Sequence, residues 1–558
     1  MGALVACGGD DGETSPPVDD ATVDAGVDVE IDAEDDGSGE SDVDEDAGPA
    51  VPNICAEIGA EPREWQEGPY GALRRDRADD FTIETVDGRM WSYRETFTGC
   101  DSIIVVTDDR PVSQSDRTSL WTQDLDELLE RSPRNVHYIF VSTASIASAS
   151  TNAMEENVGQ TLSRLSDSDR AHWQNRLHVA KDGASSLGNW VGDVVQTPVG
   201  GGGIGVDRFQ RVRGLGSFAD VNRVNPNAEG WPYDGNIALA ASEAVYFDYE
   251  AERDVAMNAH EVTEVVFWDG DVLAEFEDTT VTLPSADEMA TFDTMEIWLE
   301  AFCPDENSAE FGNCGAWDYL AHLWLLVGEG EEEQRVEMGR FITTYHRAGA
   351  YLVDVTPMMA HLLAGGEHRF RWEFAPSWNT QPTATTLSLR FSNQGRGERP
   401  TALIPLYEGG AFNSEYNNIH PPMDVQIPAG ADRTELYAVI TGHGGDTQNC
   451  AEFCNHQHQF YINNESFYRE HTDVGVQEGC SSRINEGVVP NQSGTWWFGR
   501  GGWCPGQQVE PDVFDVTEFA TPGESIGVEY YGTLAGQDPP DNAGNIIMFS
   551  YLVVYETM

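Results

Sequence analysis

From about residue 240 to its end, the chain is written as short runs of aromatic and β-branched residues. This pattern constrains the fold more than any other. TMEIWLEAF, HLWLLVGEG, RFITTYH, AYLVDVT, HRFRWEFAPSW and TLSLRFSN follow one another. A second series, TALIPLY, ELYAVITGH, HQFYINN, IGVEYYG and IIMFSYLVVYE, starts near 400. Gly, Pro and Asn separate the runs, and the helical period almost vanishes. Many short strands at regular spacing predict antiparallel sandwiches, and about 320 residues suffice for two. The chain is therefore expected to be mainly β, with sandwiches over 239–398 and 399–558.

Residues 51–238 read differently. DDFTIETVDG predicts a hairpin, SIIVVTDD and HYIFVSTAS buried strands, and TSLWTQDLDELLERS and the stretch around SDSDRAHWQNRL helices. VVQTPVGGGGIGVDRFQRVRG adds a Thr-Pro and a second hairpin. This α/β order resembles a thioredoxin-like domain, with Pro198 where that fold keeps a cis proline. Where a redox member carries CxxC, this chain has VTDDRPVSQS, so thiol–disulfide activity is not expected. GGGGIG lacks the strand–loop–helix order of a phosphate loop and reads as a turn.

The 558 residues predict roughly three domains. Their formal charge is −65, from 96 acidic against 31 basic residues, and Lys181 is the single lysine. Such a balance repels a phosphate backbone, which excludes a nucleic-acid partner; it suits a surface solvated in high salt. Residues 8–50 contain no Lys or Arg and too little apolar surface to order themselves, so 1–50 is expected to be an acidic tether. Leu4-Val5-Ala6-Cys7 has the form of a lipobox without its usual basic and apolar leader. It suggests lipidation at Cys7 and an exported bacterial lipoprotein. No apolar run approaches the roughly 20 residues of a membrane-spanning helix, so a lipid anchor is the one membrane contact expected.

Of nine cysteines, eight remain if Cys7 is lipidated, and exported cysteines usually pair. Neighbour pairing gives Cys55–Cys100, Cys303–Cys314, Cys450–Cys454 and Cys480–Cys504; the sequence leaves other connectivities open. In NCAEFCNHQH, Cys450, Cys454, His456 and His458 offer four zinc-type ligands. His456 and His458 would share one face of a strand. An H-x-H pair on a sandwich also suits copper. Ligands so closely spaced leave little chain to wrap an ion, and export favours disulfides, so the disulfide is the stronger reading and no metal or cofactor is expected.

NCAEFCNHQHQFYINN, followed by GCSSRINEGVVPNQSGTWWFGRGGWCPG, resembles the C-terminal domain of the peptide-N-glycosidase F family. Upstream, CGAWDYLAHLWLL and EMGRFITTYH resemble that family's N-terminal domain. The resemblance spans roughly 240–556, with segments in order and cysteines in register. It implies two adjacent eight-stranded jelly rolls, an active site at their junction and metal-independent hydrolysis. The bond cut would be the amide between asparagine and the first N-acetylglucosamine of N-linked glycoproteins or glycopeptides. Products would be an aspartate and a glycosylamine, released by an enzyme expected to be monomeric.

The resemblance places the family's catalytic aspartate on Asp318, after Trp317. The glutamate of the small ring falls on Glu452, the third acid on Glu373 in RWEF, and the arginine on Arg500. Departures are Tyr319 for an arginine, Phe453 for a tryptophan, GHGG around His443, and a longer 303–314 loop. Asp318 is the candidate for activating water, Glu452 for orienting amide or sugar, Arg500 for stabilising negative charge and Glu373 for binding the sugar core. Trp317, Trp378 and Trp503 are candidate stacking faces, with Tyr319 and His443 beside them. Two alternatives stand: a copper-dependent monooxygenase using His456, His458 and a further His or Met, and a surface glycan-binding protein without turnover.

Overall fold

A computed structural model describes residues 54–558 except 109, 112–116, 119, 198–202, 225–232, 306–309, 311–313, 316, 329, 381, 445–449 and 542. Cys7, the acidic tether and Pro198 lie outside the described residues.

The aromatic runs become sixteen strands in two stacks of eight. The first comprises β1 (Val262–Leu273), β2 (Phe276–Ser285), β3 (Thr294–Phe302), β4 (Leu320–Val327), β5 (Gln334–Ile342), β6 (Gly349–Asp354), β7 (Gly365–Glu373) and β8 (Thr383–Ser392). They form antiparallel sheets in the orders β1-β8-β3-β6 and β2-β7-β4-β5. The second comprises β9 (Glu398–Ala411), β10 (Met423–Gln426), β11 (Arg433–His443), β12 (His456–Ile462), β13 (Glu465–Glu470), β14 (Asp512–Asp515), β15 (Ser525–Leu534) and β16 (Asn545–Thr557). Its sheets repeat the same permutation, β9-β16-β11-β14 and β10-β15-β12-β13. Two four-stranded sheets with this winding make a jelly roll, so the chain holds two.

Alternation explains why each run folds this way. In β7, Phe370 and Trp372 point into the first core while Arg369 and Arg371 face outward. β16 is apolar on both faces for a different reason. Its even positions, Ile546, Met548, Leu552 and Val554, fill the second core. Its odd positions, Tyr551, Val553 and Tyr555, are buried in the cluster that includes the first sandwich. The two jelly rolls therefore lie side by side. Trp324 meets Phe549 edge-on at 5.9 Å, and Arg340 crosses to the carbonyl of Ile547 at 2.8 Å. A short strand from the second half, Gln507–Gln508, extends the first sandwich beyond β5.

The preceding part is α/β. Strand Ser102–Thr107 lies at the centre of a five-stranded sheet. Val136–Val141 and Leu177–Val179 follow in parallel on one side, and Gly203–Val206 and Val212–Gly214 antiparallel on the other. Both faces of the central strand are buried, under different helices. One expectation needs correction. The longest described helix, Ala240–Met257, falls just where the helical period seemed to end. Its Ala240, Ala244, Phe247 and Ala251 make a buried stripe at helical spacing, and the helix packs on the α/β part, in one core with Ile104 and Val106. The first sandwich strand thus begins at Val262. Helix Ser148–Arg164 is not marked by the sequence either, because its polar run SASTNAMEENVGQTLSR carries a weak apolar stripe. No described helix is long and apolar enough to cross a membrane.

Candidate active site

Four disulfides, Cys55–Cys100, Cys303–Cys314, Cys450–Cys454 and Cys480–Cys504, pair neighbours in sequence. The Cys450–Cys454 bridge closes a single turn, in which the N–H of Phe453 donates to the Cys450 carbonyl at 2.9 Å. Glu452 is held inside that ring. Its N–H donates to the Gly444 carbonyl at 3.2 Å and its carbonyl accepts from Gly501 at 2.8 Å. Gly444, at φ 115°, returns its own N–H to Glu452 Oε2 at 3.4 Å. A backbone so pinned fixes the carboxylate with little torsional freedom.

Asp318 enters from the other sandwich, two residues before β4. Its segment is tied down by Tyr319, whose N–H donates to Thr343 Oγ1 at 2.8 Å. Between the two acids lies Arg500, only 1% exposed. Its Nη1 donates to the Phe498 carbonyl at 2.7 Å, and its Nη2 to the Thr495 carbonyl at 3.0 Å and to Thr495 Oγ1 at 3.1 Å. The rings of Phe453 and Trp503 pack on the guanidinium at 5.3 and 5.1 Å. So fixed, Arg500 reaches Asp318 Oδ2 at 3.5 Å with Nη2 and Glu452 Oε1 at 3.4 Å with Nε. One cation thus joins two carboxylates from two domains.

Burial dominates the electrostatics. It pushes the Asp318 carboxyl up to about 6, against the pull of Arg500 and a hydrogen bond from Tyr345, while the negative charge of Glu452 adds to the rise. Burial also raises Glu452, opposed by Arg500 and the Gly444 N–H. Tyr345 lies in the segment EMGRFITTYH, but nothing in the sequence singles it out from its neighbours as a site residue. Gln492 Oε1 accepts its backbone N–H at 2.8 Å, and Gly494, at φ 66°, comes so close that a Cβ there would lie 2.9 Å from the ring. The second sandwich thereby aims this hydroxyl at Asp318.

The aromatic candidates divide. Trp317 and Trp378 are 48% and 71% exposed, and both pack on Tyr319, at 6.2 and 5.7 Å. The Tyr319 hydroxyl accepts from Asn379 at 3.0 Å. These three rings form an open rim beside Asp318. Trp503, in contrast, is 4% exposed. It lies between Arg500 and the stacked ring of His443 at 5.3 Å, with its indole N–H on the Gly442 carbonyl. It backs the arginine and presents no open face. Glu373 is half-exposed and ion-paired to Arg335 at 3.0 Å, outside the Asp318–Arg500–Glu452 group. His456 and His458 are fully buried on β12, near His471 and below the strand ends that carry the site.

The chain that builds this acid–arginine–acid centre between paired jelly rolls is similar to known proteins. Residues 411–553 match the family model described as Peptide-N-glycosidase F, C terminal. The chain is 25% identical over 279 residues to the Peptide-N(4)-(N-acetyl-beta-D-glucosaminyl)asparagine amidase F of Elizabethkingia miricola, which covers 47% of this chain and 73% of that protein. Among solved structures, a peptide-N(4)-(N-acetyl-beta-D-glucosaminyl)asparagine amidase aligns at 21% identity and a TM-score of 0.42, over 53% of this chain and 97% of that one. The PNGase F structure from Flavobacterium meningosepticum, called a glycosylasparaginase, aligns at 20% and 0.41 over the same shares. The chain is thus similar to peptide-N-glycosidase F over about half its length, and its second sandwich matches the model of that family's C-terminal domain.

Proposed function

We propose that the chain hydrolyses the amide joining asparagine to the first N-acetylglucosamine of N-linked glycoproteins, leaving aspartate and releasing the glycan as a glycosylamine. The observation that carries this reading is Arg500 bridging Asp318 and Glu452 at the junction of the sandwiches. An amide is a poor electrophile, so water must lose a proton to a base as it attacks. Asp318, poised near neutrality, takes that role and relays the proton to the departing nitrogen as the C–N bond breaks, with the Tyr345 hydroxyl keeping its carboxylate oriented. The tetrahedral oxyanion needs a preorganised positive charge, and Arg500, unable to move away from its carbonyl partners, supplies it. Glu452 orients the amide and the sugar within the stiff ring. Glu373 and the Trp317–Tyr319–Trp378 rim are assigned to binding the glycan core. Four disulfides suit an exported protein, and export, with an anchor at Cys7, belongs to the same proposal.

Incubation of the purified chain with a denatured N-glycoprotein tests the reaction. Loss of the glycan with a gain of about one dalton at its asparagine, the mass of an amide becoming an acid, is expected; glycan affinity without that change would leave only a binding protein. The pH profile carries a sign. Because Asp318 is the base in its ionised form, kcat/KM should climb as pH rises through about 6 and level off above it. A profile flat from pH 4 to 8 would remove Asp318 from that role. Trp378→Ala should raise KM by about tenfold with kcat nearly kept, as loss of a contact made equally in ground and transition states does. An equal fall in kcat would place that ring at the reacting centre instead.

A further inference from the structure

β12 and β13 form an antiparallel hairpin in which Gln457 faces Glu470. One step further along this register sets His471, just past β13, across from His456. His458 shares the face of His456 because strand side chains alternate. One nitrogen from each ring falls within 4.8 Å of the others, and all three side chains are buried, at 0%, 0% and 6% exposure. The facing nitrogens, His456 Nδ1 and His458 Nε2, are 2.7 Å apart. The outer edge of one ring has a partner of its own: His458 Nδ1 lies 2.7 Å from the Tyr530 hydroxyl. His456 Nε2, close to the backbone of Gly442 and Gly501, has no hydrogen-bond partner. His471 Nε2 is buried beside Gly502 with no hydrogen-bond partner.

Three imidazoles packed this way cannot all be charged. Neutral rings carry lone pairs. With the proton of His458 on Nδ1, facing Tyr530, its Nε2 lone pair faces His456 beside the unpartnered Nε2 of His471, and a cation can take the place of the proton shared between the two rings.

We propose that His456, His458 and His471 form a binding site for one divalent transition-metal ion of the zinc or copper type. Imidazole nitrogens suit these ions, whereas the chain's abundant carboxylates prefer magnesium or calcium. Zinc–nitrogen bonds of about 2.0–2.1 Å place tetrahedral ligands roughly 3.3 Å apart, a value inside the span the three nitrogens already occupy. Tyr530 is the outer partner that ligating histidines need to fix their orientation. An entry path exists: His471 borders a cavity of about 250 Å³, with Asp473 and Arg500 also on its wall. The site lies beneath Gly501 and Gly502, next to Arg500. Its role is to clamp that loop to β12; it takes no part in the acid–arginine–acid chemistry, and it stands whether or not the chain cleaves glycoproteins.

The full chain, stripped with a chelator and dialysed against zinc in high salt with excess magnesium, should retain about one zinc per chain by elemental analysis. Cobalt in its place should give the visible bands of a tetrahedral nitrogen site. His471→Ala should weaken uptake by at least about a hundredfold and Tyr530→Phe by about tenfold, while His260→Ala, at an exposed position, leaves it unchanged. Tyr530→Phe keeps the ring and its packing, so it reports even if a histidine variant fails to fold. Retention of no zinc by the wild-type chain overturns the proposal. So does uptake that both His471→Ala and Tyr530→Phe leave intact.

Discussion

Asp318→Asn is expected to lower turnover of an N-glycopeptide by at least about a hundredfold, the lower range for losing a general base, without destabilising the protein. The amide keeps the shape of the side chain and accepts from Tyr345 as before, but cannot take a proton from water. Stability should move the opposite way to activity. A carboxyl whose native pKa lies above its unfolded value contributes stability that is complete below the unfolded pKa. That contribution is lost as pH rises through the native one. For Asp318 the window runs from 3.8 to about 6, so above it the ionised, buried carboxylate costs on the order of 2–3 kcal/mol. The asparagine variant removes that cost while Arg500 keeps Glu452. Its melting temperature at pH 7 should equal or exceed that of the wild type, with the gap closing below about pH 4. An active variant would end the amidase assignment. A variant that melts well below the wild type would mean that the Asp318–Arg500 contact is structural.

The second large effect lies away from the site. Glu243, on helix Ala240–Met257, is fully buried and meets Arg347, 1% exposed, at 2.7 Å. Its other oxygen accepts from Arg347 at 3.0 Å, from Asn491 at 2.9 Å and from the Gly216 N–H at 3.0 Å. One carboxylate thus ties the α/β part to both sandwiches. Glu243→Gln leaves the Arg347 charge buried without its counter-ion, and removing one partner of such a pair typically costs about 3–5 kcal/mol. Thermal or urea unfolding followed by circular dichroism should show this loss, and adding Arg347→Met should recover part of it, since pairs removed together are often near neutral. A loss below about 0.5 kcal/mol would show that the α/β part can be detached without harm. The opposite outcome makes it an integral support for the loops that carry Tyr345 and Gln492.

Much of this architecture was legible in the chain itself. Period-two runs such as HRFRWEF and IIMFSYLVVYE define strands, because a pleated backbone sends alternate side chains to opposite faces whatever the strand's neighbours. The neighbour pairing of eight cysteines and the ring around Glu452 are local, and short spacings survive folding unchanged. Helix Ala240–Met257 escaped notice for the converse reason. Its stripe of alanines is only weakly apolar and becomes decisive once a sheet lies beneath it.

What only the tertiary structure decided are relations between distant residues. Trp503 and Trp378 are the same residue type in similar loops, yet one is sealed behind Arg500 and the other stands open, since burial is set by what packs opposite. Tyr345 reaches Asp318 because Gln492 and Gly494 hold it from the other sandwich. His471 joins His456 and His458 through the register of one hairpin. The raised pKa of Asp318 follows from desolvation and from Glu452, more than a hundred residues away. Composition and spacing determined which groups this protein has to work with; distance and dielectric, which exist only after the sheets close, determined which of them act together.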